Sequence, residues 1–155
     1  MLKFREVGTY KNAVNIGYCT AEVDLKNGMV VTFDRADKSV ALPTNGKETG
    51  LAIVFNTIEK PEIEDPNKYV IEAGEFPRLF ELASLKDRII DMDLDQVVDD
   101  YADISVGDYL TANDDGQLEV TADVSAYKEY FEVIEKTTYN AEGIAVRVVI
   151  GTLNP

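Results

Sequence analysis

The stretch ISVGDYLTANDDGQLEV, residues 104–120, decides how the chain is read. Ile104, Val106, Leu110, Leu118 and Val120 supply apolar side chains on either side of Asn113-Asp114-Asp115-Gly116. An Asp-Gly pair gives a tight hairpin turn its positive φ, because glycine has no Cβ to clash there. The pattern predicts two antiparallel strands, Tyr109–Ala112 and Gln117–Thr121, joined by that turn. Gly107-Asp108 predicts a second bend where the chain enters the hairpin.

The same grammar occurs upstream. Residues 25–34, LKNGMVVTFD, align with residues 104–113, ISVGDYLTAN. Each has an apolar residue, a glycine three on, an apolar pair, a threonine and a turn residue. Each continues through a polar turn, Arg35–Ser39 or Asp114–Gly116, and returns on an apolar strand, Val40–Leu42 or Leu118–Val120. A further glycine-bearing apolar strand follows, Gly50–Phe55 in the first copy and Gly143–Ile150 in the second. Two readings fit: an internal duplication, or two similar hairpins in one sheet.

Outward from these stretches the chain reads as short strands with frequent turns. Tyr18–Asp24 alternates as a short strand does, and Tyr69–Ala73 is a further candidate. Leu51–Asn56 is an almost unbroken apolar run, as in a strand buried on both faces. Glu59–Lys68, with two prolines and four acids, is expected to be a linker or exposed excursion. Residues 78–90 fit two descriptions: Leu79, Leu82, Leu85 and Ile89 have helical spacing, while the turn-like Ser84–Asp87 favours extended structure on either side. Tyr127–Ile134 is ambiguous in the same way and favours strand by residue type. Turns at this spacing predict a mainly β fold, a small β-barrel or sandwich. The expected organisation is an extended N-terminal arm over residues 1–15 and a single β-rich domain over 16–155. That domain carries one irregular or partly helical insertion and the excursion at 59–68.

Composition narrows the function. The 155 residues carry 29 Asp and Glu against 15 Lys and Arg, a formal charge of −14. Such a balance disfavours nucleic acid, whose binding depends on cations that displace counterions from phosphate. It disfavours anionic membrane surfaces for the same reason and suits a cationic protein partner. No run approaches the roughly 20 apolar residues that span a bilayer. The N-terminus lacks the apolar core of a signal peptide, so folding in a reducing cytoplasm is expected. The single cysteine, Cys19, lies in an apolar run and is expected to be a buried, inert thiol.

Catalytic chemistry has little to work with. The chain contains no histidine, which excludes Ser-His-Asp and Cys-His catalysis and histidine zinc sites. No glycine-rich phosphate loop occurs. Asp91, Asp93 and Asp95, followed by Asp99, Asp100 and Asp103, superficially follow a calcium loop. Gln96 stands where that loop needs glycine, and Ala102 where it needs a bidentate glutamate. An acidic strand and loop facing solvent or a basic partner is expected instead. The absence of tryptophan removes a common sugar-stacking platform. No enzyme, cofactor or metal is expected.

A resemblance follows from the residues already quoted. Val106-Gly107-Asp108 leading a strand, the Asp-Asp-Gly turn, the closing Val148-Val149-Ile150-Gly151 and the entry strand Asn27-Gly28-Met29-Val30-Val31 resemble the head decoration, or cement, proteins of tailed bacteriophages. The resemblance covers about a third of the chain. It implies a non-enzymatic virion protein, made in the host cytoplasm, that binds the major capsid protein on the shell surface, often as a homotrimer. The competing class is a small β-barrel adaptor or a carbohydrate-binding module. The partner contact is expected in the N-terminal arm. There Lys3, Arg5 and Lys11 contrast with the acidic body, and Leu2, Phe4 and Val7 offer apolar anchors. The alternation Leu2-Lys3-Phe4-Arg5 suits an added β-strand. The rival reading makes this segment the first strand of the chain's own sheet.

Overall fold

The Asp-Gly turn forms where its chemistry places it. In the computed structural model, which describes residues 1–6, 8–58, 65–138 and 141–151, Gly116 has φ +74°. The Asn113 Oδ1 accepts the N–H groups of Asp115 and Gln117, both at 3.0 Å, and so closes the turn. A Cβ at Gly116 would sit 2.7 Å from the Val30 carbonyl oxygen. Gly116→Val therefore combines a positive φ with a backbone clash, and should cost about 1–3 kcal/mol. Urea denaturation checks this, and a variant that unfolds with the wild type contradicts the placement of the turn.

In chain order the strands are β1 (Leu2–Phe4), β2 (Asn15–Ile16), β3 (Thr20–Ala21), β4 (Val30–Asp34), β5 (Ser39–Ala41) and β6 (Ala52–Val54). They continue with β7 (Leu79–Glu81), β8 (Ile89–Asp93), β9 (Tyr109–Ala112), β10 (Leu118–Val120), β11 (Glu129–Thr137) and β12 (Gly143–Ile150). One α-helical turn, α1 (Thr9–Asn12), follows β1. The fold is mainly β. Sheet I has the order β1-β8-β12-β11-β9-β10, and sheet II the order β2-β7-β6-β4-β5-β3.

The two hairpins, β4–β5 and β9–β10, therefore lie in different sheets and not in one. Apart from β1 and β3, the sheets have the same plan: β8-β12-β11-β9-β10 matches β2-β7-β6-β4-β5 strand for strand. The match extends to single hydrogen bonds. Val31 pairs with Ala52 as Leu110 pairs with Phe131, and Val30 with Ile53 as Tyr109 with Glu132. Both members move by the same 79 positions, from 31 to 110 and from 52 to 131. The Gly28 N–H donates to the Val54 carbonyl (2.9 Å), as the Gly107 N–H does to Val133 (2.8 Å). Both glycines have positive φ, +95° and +97°. Even the preceding bend repeats. The Met29 Sδ accepts the Lys26 N–H where the Asp108 carboxylate accepts that of Ser105. The chain is thus a structural repeat. One detail of the sequence pairing is corrected: the counterpart of β6 is β11, and β12 is the counterpart of β7. Strand neighbours identify the repeat better than apolar content does, because any buried strand is apolar.

The repeats stack. Phe131, Val133, Leu110, Val146 and Ile90 of sheet I share a core with Val30, Ile53 and Phe80 of sheet II. The opposite face of sheet II, with Val31, Ala52, Val54 and Leu79, packs a second core with Cys19, Leu25, Tyr69 and Ile71. Sheet II is thus buried on both faces, which accounts for the unbroken apolar run of β6. In sheet I the first half of β11 alternates, with Phe131 and Val133 inside and Tyr130 and Glu132 partly exposed. Val30, Ile53 and Phe80, which face sheet I, correspond to Tyr109, Glu132 and Arg147 on the outside of sheet I. The second repeat carries polar residues where the first carries apolar ones, as the terminal unit of a stack must to remain solvated.

The ambiguous segments resolve. Residues 78–90 are β7, a 3-10 turn over Leu82–Leu85 and the start of β8, so the extended reading holds and a longer helix does not form. Tyr127–Ile134 lies largely in β11. Of Tyr18–Asp24 only Thr20–Ala21 forms a strand, and Tyr69–Ala73 contributes a single bridge, Ile71 to Leu25. Residues 59–64 of the excursion lie outside the described residues; 66–68 form a 3-10 turn capped by Asp65.

Candidate functional site

The N-terminal segment is not a free arm. Leu2, Lys3 and Phe4 pair with Met92, Asp91 and Ile90 as the edge strand of sheet I. Leu2 and Phe4 are buried in the core between the sheets. The Phe4 ring meets Phe80 edge-on (centroids 4.9 Å apart) and Tyr10 at a tilt (4.7 Å). Arg5 forks onto Asp91, with Nε to Oδ2 at 3.1 Å and Nη2 to Oδ1 at 2.6 Å, and reaches Glu135 at 2.9 Å. The hydrogen bond to Asp91 holds its guanidinium well above the usual arginine range. Lys3 is exposed, and Val7 lies outside the described residues. The alternation of residues 2–5 does indicate a strand, but one that adds to the chain's own sheet. Pairing within one chain avoids the loss of translational freedom that docking on a partner incurs.

The acidic residues 91–103 do not converge. Asp91 is held by Arg5, Asp93 by the Met1 amine, and Asp95 faces Lys26 at 3.9 Å. Asp99 accepts the Val120 N–H at 2.7 Å. Among the described residues, no three His, Cys, Asp or Glu side chains are grouped so as to hold a metal ion. Cys19 is fully buried and free, as expected, and burial pushes its thiol up. Among the described residues no helix is long and apolar enough to cross a membrane.

Two features remain. The first is the outer face of sheet I. Tyr109 and Tyr130 meet edge-to-face, centroids 5.5 Å apart. Val106, at the entry to the hairpin, is 61% exposed. Arg147 pairs with Glu132 across neighbouring strands, next to this aromatic pair. The tyrosines look scattered in the sequence, and only the pairing of β9 with β11 brings these two together.

The second is a cavity of about 430 Å³ beside the ends of β6 and β8. Tyr10, Phe55 and Met92 contribute to its apolar wall, and Asn27, Asn56 and Arg78 to its polar wall. The Asn27 side chain pairs with the Asn56 backbone like a strand neighbour, accepting its N–H at 2.6 Å and donating to its carbonyl at 2.9 Å. The Asn56 Oδ1 in turn accepts the Arg78 N–H at 2.5 Å. The Arg78 guanidinium lies 4.9 Å from the centroid of the Phe80 ring. No sequence motif marks these residues, because they come from five separate segments of the chain.

No protein-family model, curated protein or solved structure matches this chain.

Proposed function

We propose that this protein is a non-enzymatic structural protein that binds and stabilises a pre-assembled protein shell, as the head decoration proteins of tailed bacteriophages do. The observation that carries the reading is the outer face of sheet I, where Tyr109 and Tyr130 pair edge-to-face, with exposed Val106 three residues ahead of Tyr109 in the chain. Tyrosines on a sheet present a large contact area with little rotamer entropy to lose, and they are enriched where proteins dock. The acidic excess supports a partner whose facing surface is basic. In this reading the partner is the major capsid protein, the location is the virion surface, and the protein acts as a homo-oligomer, a trimer on a threefold site.

The contact differs from the one expected from sequence, since Leu2 and Phe4 are buried in the core. Sedimentation with purified empty phage heads tests the proposal. Wild-type protein is expected to pellet with the heads. A folded Tyr109→Ser variant should bind at least about tenfold more weakly, as truncation of a central interface aromatic does. Wild-type protein that stays in the supernatant with heads but binds a glycan array would favour the carbohydrate-binding class and overturn the proposal.

A further inference from the structure

The chain has five arginines, and four have a carboxylate partner. Arg5 pairs with Asp91, Arg35 with Glu81, Arg88 with Glu6 and Arg147 with Glu132. Arg78 has none among the described residues, in a chain with nearly twice as many acids as bases. Its Nε is shielded from solvent and has no hydrogen-bond partner. A guanidinium carries five N–H donors in a planar fork, and none of those on Arg78 has an acceptor among the described residues. Arg78 is among the residues that line the cavity of about 430 Å³.

Among the described residues, the acids that share the cavity, Asp93 and Asp95, each face a cation. Asp93 is held by the Met1 amine and Asp95 faces Lys26. Among the described residues, the charge left there without a counterion is positive, on Arg78. The fork is also held in place. Phe80 lies under the guanidinium, and the Arg78 backbone is tied through Asn56 to Asn27. A pre-set planar fork beside aromatic and aliphatic walls matches one ligand chemistry well: a carboxylate on an apolar or aromatic body.

We propose that this cavity is a carboxylate-binding site, with Arg78 as the anion receptor and Tyr10, Phe55 and Met92 contacting the attached apolar group. The carboxylate comes either from a free small acid or from the C-terminus of a peptide chain. The site is separate from the outer face of sheet I and does not depend on shell binding.

The test is an NMR titration of the full-length, ¹⁵N-labelled protein, following the Arg78 Nε–H and the Gly28 amide. The probes are 3-phenylpropionate and an N-acetylated dipeptide ending in phenylalanine, each beside its neutral primary amide. At least one acid is expected to shift both resonances saturably, with its amide at least about tenfold weaker. Arg78→Gln should remove the binding. Arg78→Lys should weaken it about tenfold, since lysine keeps the charge and loses the fork. If the dipeptide acid binds more tightly than 3-phenylpropionate, the ligand is a chain terminus; if not, it is a small acid. Acid and amide binding alike, no saturable shift with either acid, or unchanged binding in a folded Arg78→Gln would each overturn the proposal. If Arg78→Gln does not fold, the acid-to-amide ratio and Arg78→Lys decide.

Discussion

Phe4→Ala lowers stability by about 3–5 kcal/mol, the range for emptying a buried aromatic site. Phe4 is 4% exposed and its ring touches Tyr10, Phe55 and Phe80. Three of these residues come from separate strands or strand ends, so the cavity cannot close by shifting a single loop. Deletion of residues 2–11 should be more severe. It removes β1, both apolar side chains that β1 places in the core, and Arg5, which bridges Asp91 and Glu135. Thermal unfolding of both variants checks the expectation. A deletion variant that melts with the wild type would return residues 1–15 to the status of a free arm.

Glu129→Ala has the second large effect. Glu129 is buried at the start of β11, and its carboxylate accepts the N–H groups of Gly50 (3.1 Å) and Leu51 (2.6 Å) at the entry to β6. The side chain thus ties sheet I to sheet II. Its loss orphans both donors, at about 1–3 kcal/mol for each one left buried without a partner. Burial pushes the Glu129 carboxyl above its ordinary range, against the pull of the two backbone N–H groups. The folded state therefore binds this proton more tightly than the unfolded state does. The stabilisation that follows is fully present below the unfolded pKa of about 4.3 and is lost as pH rises through the folded pKa. The stability difference between wild type and Glu129→Ala should accordingly widen as pH falls from 7 to about 4. Denaturant unfolding at the two pH values measures it, and a difference that shrinks on acidification contradicts the assignment.

Local chemistry was readable in advance, and distant pairing was not. The Asn113–Gly116 turn was legible because an Asp-Gly pair and an Asn side chain act over four residues. The double burial of β6 was legible because a strand with two covered faces has no polar positions. The destination of β1 was not, since Leu2-Lys3-Phe4-Arg5 specifies a strand without saying which edge it joins, and β8 lies far along the chain. The hairpin likeness was visible, but its meaning was not. Glu132 and Arg147 share almost nothing with Ile53 and Phe80 as residues, and only the register makes them equivalent. The Arg78 cavity was invisible for a related reason: a lone arginine acquires significance only through what surrounds it in space.

The repeated frame organises the molecule, because it sets sheet II between two cores and makes the outer face of sheet I the exposed end of the stack. NMR couplings across N–H···O=C hydrogen bonds test it most directly. The frame predicts four such bonds in two matched pairs: Gly28 to Val54 with Gly107 to Val133, and Val54 to Met29 with Val133 to Asp108. Couplings observed for all four establish that the β4–β6 pairing recurs in β9–β11, displaced by 79 residues. Couplings in one repeat that join different partners from those in the other would contradict it.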